Sequence, residues 1–185
     1  MRKFLKENII YNNKIMLNSK INIDNTILER GSDPYIIAEI GVNHEADIDK
    51  AKKLIDLAKE GGADAAKFQS YKAEKLASKN SPSYWDTNLE STKSQYELFK
   101  KYDKFEEKEY IELAEHCKKQ NISFLSTPFD HDSVDFLNDL LPFYKIASAD
   151  LTNIPLLRKV SSKDKPIILS TGACNLLEIN KAIET

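Results

Sequence analysis

At 185 residues the chain is long enough for one domain with a sizeable core, and its 41% apolar and 30% charged composition is that of a globular protein. A formal net charge of −2, with lysine far outnumbering Arg2, Arg30 and Arg158, gives no electrostatic case for nucleic acid. No stretch approaches the roughly 20 apolar residues of a membrane-spanning helix. The opening MRKFLKENIIYNNKIM is too broken by charge for a secretory signal, and Cys117 and Cys174 form no CxxC pair, so a cytoplasmic protein with reduced thiols is expected.

Residues 1–33 alternate rather than follow a helical period, which predicts a β-hairpin leader turning at Asn12-Asn13 and closed by Gly31-Ser32-Asp33-Pro34. Such a hairpin could plug the amino-terminal end of a barrel or remain an arm. From residue 34 to 185 five apolar runs each end in a polar cluster and precede a helical pattern: YIIAEIGVNH (Tyr35–His44), AAKFQS (Ala65–Ser70), ISFLSTPFD (Ile122–Asp130), FYKIASAD (Phe143–Asp150) and PIILSTG (Pro166–Gly172). The first helix is IDKAKKLIDLAKEGG, stopped by Gly61-Gly62. After the second strand, residues 77–93 are too long and polar for an ordinary connection. SQYELFKKYD predicts a short extra helix, and EEKEYIELAEHCKKQN a main one with acids first and lysines last. DHDSVDFLNDLL is a third, with Asp130 as N-cap; TNIPLLRKVSSK and NLLEINKAIET complete the set.

Strands that read as continuous apolar stretches are buried on both faces, so function belongs where they end. In a (β/α)₈ barrel all strand carboxyl ends converge on one face, which carries the active site. The residues delivered there are Glu39, Asn43, Lys67, Gln69, Ser126, Thr127, Lys145, Ser148, Asp150, Ser170 and Thr171. Two lysines, several hydroxyls and carboxylates around one mouth describe a site for a small, phosphorylated, oxygen-rich substrate. The alternating order predicts a parallel sheet with right-handed crossovers. Tyr35 to Thr185 supplies five βα units against the eight of a closed barrel, which typically takes about 250 residues. A five-stranded open sheet would place its ligand at a switch in strand order and usually carries a GxGxxG or GxxxxGK[ST] loop, neither of which occurs here. The α/β fold expected is therefore a TIM barrel truncated to about five βα units: a leader over 1–33, then a partial barrel over 34–185.

YIIAEIGVNH, GGADAAKFQSYKAEKLAS, FLSTPFD with SVDFL, KIASADLTNIPLL and ILSTGA together resemble the sialic acid synthase family, in the same order and at similar spacing, from Pro34 to Thr185. That resemblance implies a (β/α)₈ barrel followed by an antifreeze-like domain, in a homodimer. It also implies condensation of phosphoenolpyruvate with an N-acetylated amino sugar, N-acetylmannosamine or a diacetamido-trideoxyhexose, to a nonulosonic acid with release of phosphate. Motif by motif it implies catalytic roles for Glu39, Lys67 and Asp150. Substrate contacts follow for Lys67, Gln69, Thr127, Lys145, Ser148 and Ser170, with Asn43 beside them in the first loop. A divalent ion, manganese or magnesium, would polarise the sugar aldehyde, held by histidines on strands beyond Thr185; this chain itself is expected to bind no metal. ASAD at Ala147–Asp150 departs from the GSGE or PSGE of many relatives, and Ala173-Cys174 from their Met-containing segment.

The simpler readings differ in strength. Lysines within apolar strands are costly unless paired or functional, which favours roles for Lys67 and Lys145. Thr127, Ser148 and Ser170 equally suit strand-end backbone satisfaction. His44, His116 and His131 form no metal-ligand motif, and His44 reads as an orienting hydrogen-bond partner. Tyr84 and Trp85 suit either a sugar-stacking or a rim-covering role. Against the enzyme stands one alternative, a non-catalytic remnant or split component that binds a partner through exposed strand edges, and this chain by itself is expected to be inactive.

Overall fold

The computed structural model describes residues 20–24 and 26–185, in two compact units, one ending at Tyr35 and the other running from Ile36 to Thr185. In the first, β1 (Lys20–Ile23) pairs antiparallel with β2 (Thr26–Glu29), Ile21 opposite Leu28 and Ile23 opposite Thr26. The expected turn at Asn12-Asn13 lies outside the described residues. The observed reversal is at Asp24, whose φ of 46° lies in the left-handed region that aspartate enters more readily than most residues. Its Oδ2 accepts the Tyr35 hydroxyl at 3.0 Å. Ser32 closes the strand end, its hydroxyl donating to the Glu29 carbonyl at 2.8 Å.

The second unit alternates strand and helix. Its elements are β3 (Ile37–Gly41), α1 (Ile48–Glu60), β4 (Ala65–Ser70), α2 (Ala73–Leu76), α3 (Gln95–Tyr102), α4 (Glu107–Lys119), β5 (Ser123–Pro128), α5 (His131–Leu137), β6 (Tyr144–Ile146), α6 (Ile154–Ser161), β7 (Ile167–Leu169) and α7 (Leu176–Glu184). A single 3₁₀ turn, Ser148–Asp150, follows β6. Strands β3-β4-β5 form one parallel sheet and β6-β7 a parallel pair. The five strands are where the sequence put them, but they divide three and two instead of forming one ladder. The run Phe143–Asp150 curls into the 3₁₀ turn after three residues, which leaves β6 short. Within each sheet neighbouring strands are consecutive in the chain, so no reversal of strand order occurs among the described strands.

Helix starts follow capping chemistry. Asp47, Ser94, Asp130, Asn153 and Asn175 each accept a backbone N–H of the first turn of α1, α3, α5, α6 and α7. The acids and lysines of α4 sit at the ends its dipole prefers. Ala51 and Ile55 of α1, Leu113 and Cys117 of α4, Val134 and Leu137 of α5 and Leu156 and Val160 of α6 are buried together with Phe68, Phe124 and Ile146 of the strands. Phe68 and Phe124 stack at 5.8 Å, and the Tyr144 hydroxyl donates to the Val134 carbonyl of α5 at 2.9 Å. This parity turns the helix-facing residues of β4, β5 and β6 one way and Lys67, Gln69, Thr127 and Lys145 the other. Among the described residues no helix is long and apolar enough to cross a membrane.

Candidate functional site

Register brings the site together. Glu39 of β3 is opposite Lys67 of β4, and Gln69 is opposite Thr127 of β5. The buried Lys67 ammonium donates to Glu39 Oε2 and lies 3.5 Å from Thr127 Oγ1. Carrying charge at a buried position is what the Glu39 carboxylate makes affordable. At Gly41 the ladder is irregular and φ is +57°; a Cβ placed there would lie 3.6 Å from both Glu39 Oε1 and Gln69 Nε2. Glutamate and glutamine thus flank a residue without a side chain.

Lys145 joins them from β6. Burial, and then the neighbouring Lys67 charge, lower its pKa from the ordinary lysine value, with Glu39 acting the other way. Its Nζ donates to the Ile146 carbonyl at 3.1 Å. Two ammonium groups and one carboxylate therefore share a mouth with a net positive charge, hydroxyl and carboxamide donors beside them. The arrangement can hold a multiply charged anion and stabilise charge on a departing phosphate.

The other expected residues stand at the strand ends and form no hydrogen bond or ion pair with this cluster among the described residues. Ser148 and Asp150 occupy the 3₁₀ turn, where Asp150 lies 3.4 Å from the Asn153 amide and burial raises its pKa. The Ser148 carbonyl accepts the Cys174 thiol at 3.3 Å, which ties that turn to the loop after β7. Ser170 is joined to β6 through its backbone N–H on the Ile146 carbonyl, 3.1 Å. Asn43 is exposed in the turn after β3, its N–H on the Ile40 carbonyl at 3.1 Å. Ser126 is a correction: it faces the helices, its hydroxyl 2.6 Å from that of Ser70, because a period of two sends it opposite to Thr127.

His44 does act as an orienting group. Its Nδ1 accepts the Ala46 N–H at 3.1 Å, while its ring stacks on Phe105 at 4.4 Å. Burial, helped by the Lys50 charge, lowers its pKa to about 4, and its Nε2 has no hydrogen-bond partner. His116 is bound to Asp56 at 2.7 Å, and His131 opens α5. Among the described residues no three His, Cys, Asp or Glu side chains converge as metal ligands. Both cysteines are free thiols.

Apart from the capping residue Asp130, no local pattern points to the groups that hold the exit of β4. Tyr110 of α4 donates to the Gln69 carbonyl at 2.8 Å, beyond the last β3–β4 pair at Phe68. Tyr71 donates to the Phe99 carbonyl at 3.3 Å, Asp130 accepts the Lys72 N–H at 3.2 Å, and Asp103 accepts the Ala73 N–H at 2.9 Å. A cavity of about 180 Å³ lies beside this segment, its lining including Tyr71, Tyr110 and Phe136 and the charged Lys72, Lys75 and Asp130. Its lining includes none of Glu39, Lys67 or Lys145. Trp85 is tied inward, its indole N–H on the Glu90 and Thr92 carbonyls at 3.1 and 3.3 Å, and Tyr84 packs edge-on against it.

Residues 54–185 match the NeuB family. The chain is 48% identical over 152 residues to an N,N'-diacetyllegionaminic acid synthase of Campylobacter jejuni, covering 80% of this chain and 45% of that one. It is 37% identical over 139 residues to the human N-acetylneuraminate-9-phosphate synthase, covering 75% and 39%. The chain thus spans about half the length, or less, of the curated relatives it matches. Among solved structures, an N-acetylneuraminic acid synthetase of Leptospira borgpetersenii superposes with a TM-score of 0.77 at 33% identity, over 89% of this chain and 54% of that one. A truncated 3-deoxy-D-arabino-heptulosonate 7-phosphate synthase of Thermotoga maritima shares the fold at 16% identity, TM-score 0.59, over 88% and 49%. Five motifs in order, parallel strands that end in one charged mouth, and these likenesses lead to one assignment: the chain belongs to the NeuB family, the sialic acid synthases.

Proposed function

We propose that the mouth formed by Glu39, Lys67, Gln69, Thr127 and Lys145 binds phosphoenolpyruvate. The protein would then condense it with an N-acetylated amino sugar, N-acetylmannosamine or a diacetamido-trideoxyhexose, to give a nonulosonic acid. The observation that carries this reading is the pairing of Lys67 with Glu39 across β3 and β4, with Lys145 of β6 near enough to feel both charges. In the same reading the five βα units are part of a (β/α)₈ barrel, the enzyme is a homodimer, and it works in the cytoplasm, where Cys117 and Cys174 stay reduced.

Lys67 and Lys145 hold the phosphate and carboxylate of the enol ester, with Thr127, Ser148 and Ser170 as hydroxyl donors. C3 of phosphoenolpyruvate forms the new bond to the sugar aldehyde carbon, whose oxygen takes up a proton. Water then adds at C2, the C–O bond to phosphate breaks, and inorganic phosphate leaves with the electron pair. In this reading Asp150, whose pKa burial raises, takes part in proton transfer, and Glu39 orients the water. Among the described residues no set of His, Cys, Asp and Glu side chains fits the divalent ion that the family resemblance implies. The test is calorimetric titration with phosphoenolpyruvate, followed by assay of phosphate release with each sugar. Saturable binding by this chain is expected, with sugar-dependent phosphate release where the complete barrel is present; no binding at millimolar ligand would refute the reading.

A further inference from the structure

We infer that Glu39 is a resident competitor for the anion seat on Lys67, which the incoming phosphoenolpyruvate displaces in order to bind. The inference rests on the proposed reading of the mouth. The Lys67 side chain is only 9% exposed and that of Glu39 is 54% exposed, so the carboxylate covers the ammonium on its solvent side. No other carboxylate makes an ion pair with Lys67 among the described residues, and its further polar neighbour is the neutral Thr127 hydroxyl at 3.5 Å. Glu39 therefore supplies the compensating charge that a buried ammonium needs. A substrate carboxylate or phosphate meets the same need, and two anions on one ammonium repel each other.

Binding is thus an exchange of one anion for another. The released Glu39 carboxylate has somewhere to go, because it is half in solvent and Gly41 beside it carries no side chain. Lys145 takes no part in the exchange: its Nζ rests on the Ile146 carbonyl and forms no ion pair with a carboxylate among the described residues. One consequence is order. Glu39 becomes free to serve the water or the second substrate only after phosphoenolpyruvate has taken its place on Lys67.

The variants Glu39→Gln and Glu39→Asp test this by calorimetric titration with phosphoenolpyruvate. Removing the competing charge should tighten binding by up to about fivefold, the equivalent of a solvent-facing ion pair. Aspartate, shorter by one methylene, should tighten it less and also serves if the glutamine variant does not fold. Equal or weaker binding by the variants would overturn the inference while leaving the phosphoenolpyruvate site standing. Absence of binding by wild type and both variants would remove site and competitor together.

Discussion

Lys67→Met separates the two roles that a buried lysine can have. Methionine keeps most of the aliphatic volume and deletes the ammonium. The Glu39 carboxylate it leaves behind is 54% exposed and rehydrates, and Thr127 loses only a 3.5 Å contact. Replacing a buried charge with an apolar group of similar volume is commonly neutral or stabilising. The melting temperature should therefore stay within about 3 °C of wild type, since 1 kcal/mol moves a domain of this size by roughly 2–4 °C. Ligand binding should respond quite differently. A charge-assisted bond to a bound anion is worth about 1.5–3 kcal/mol, so phosphoenolpyruvate should bind roughly 10- to 150-fold more weakly. Thermal unfolding and calorimetry on the same preparations measure both. Unchanged affinity would show that Lys67 is not an anion ligand. A fall in melting temperature of more than about 8 °C would show that its charge is structural, against the reasoning given.

Because the native His44 pKa is about 4 and the ordinary value 6.5, the unfolded chain binds the extra proton first. This residue should therefore withdraw stability, on the order of 3 kcal/mol, as pH falls from 6.5 to 4; His44→Phe should flatten that part of a urea-midpoint profile. Lys145 releases its proton below the ordinary lysine value, so between its native pKa and about 10.4 its own contribution to stability rises with pH while phosphoenolpyruvate affinity falls. Titrations at increasing alkaline pH should show the loss of affinity, and Lys145→Met should bind weakly at every pH. Gly41→Ala introduces no close clash but forces a side chain onto a φ of +57°, and should cost about 1–2 kcal/mol in chemical denaturation.

Much of this architecture was legible locally. Apolar runs located all five strands of the second unit, Asp130 was recognisable as a cap, and the spacing of Lys67 and Gln69 placed both on one face. The same parity rule, applied to the adjacent pair Ser126-Thr127, excludes Ser126 from the mouth; naming both overlooked that neighbours in a strand point oppositely. Helix α2 is one turn long and leaves no periodic signature. Tyr110 and Asp103 were invisible because each acts on backbone groups at least 30 residues away in the chain. The anion competition at Lys67 was equally hidden, since it depends on strand register and not on spacing within either strand.

The tethering of residues 69–73 has an evolutionary consequence. Tyr110, Ser126, Phe99, Asp130 and Asp103 fasten five successive positions before the chain reaches the irregular stretch over 77–93. Stress arising in that stretch meets a clamped segment before it meets Gln69. Changes of length or surface chemistry in that stretch should therefore leave the mouth undisturbed, which gives this fold an outlet for new surface chemistry close to its charged site.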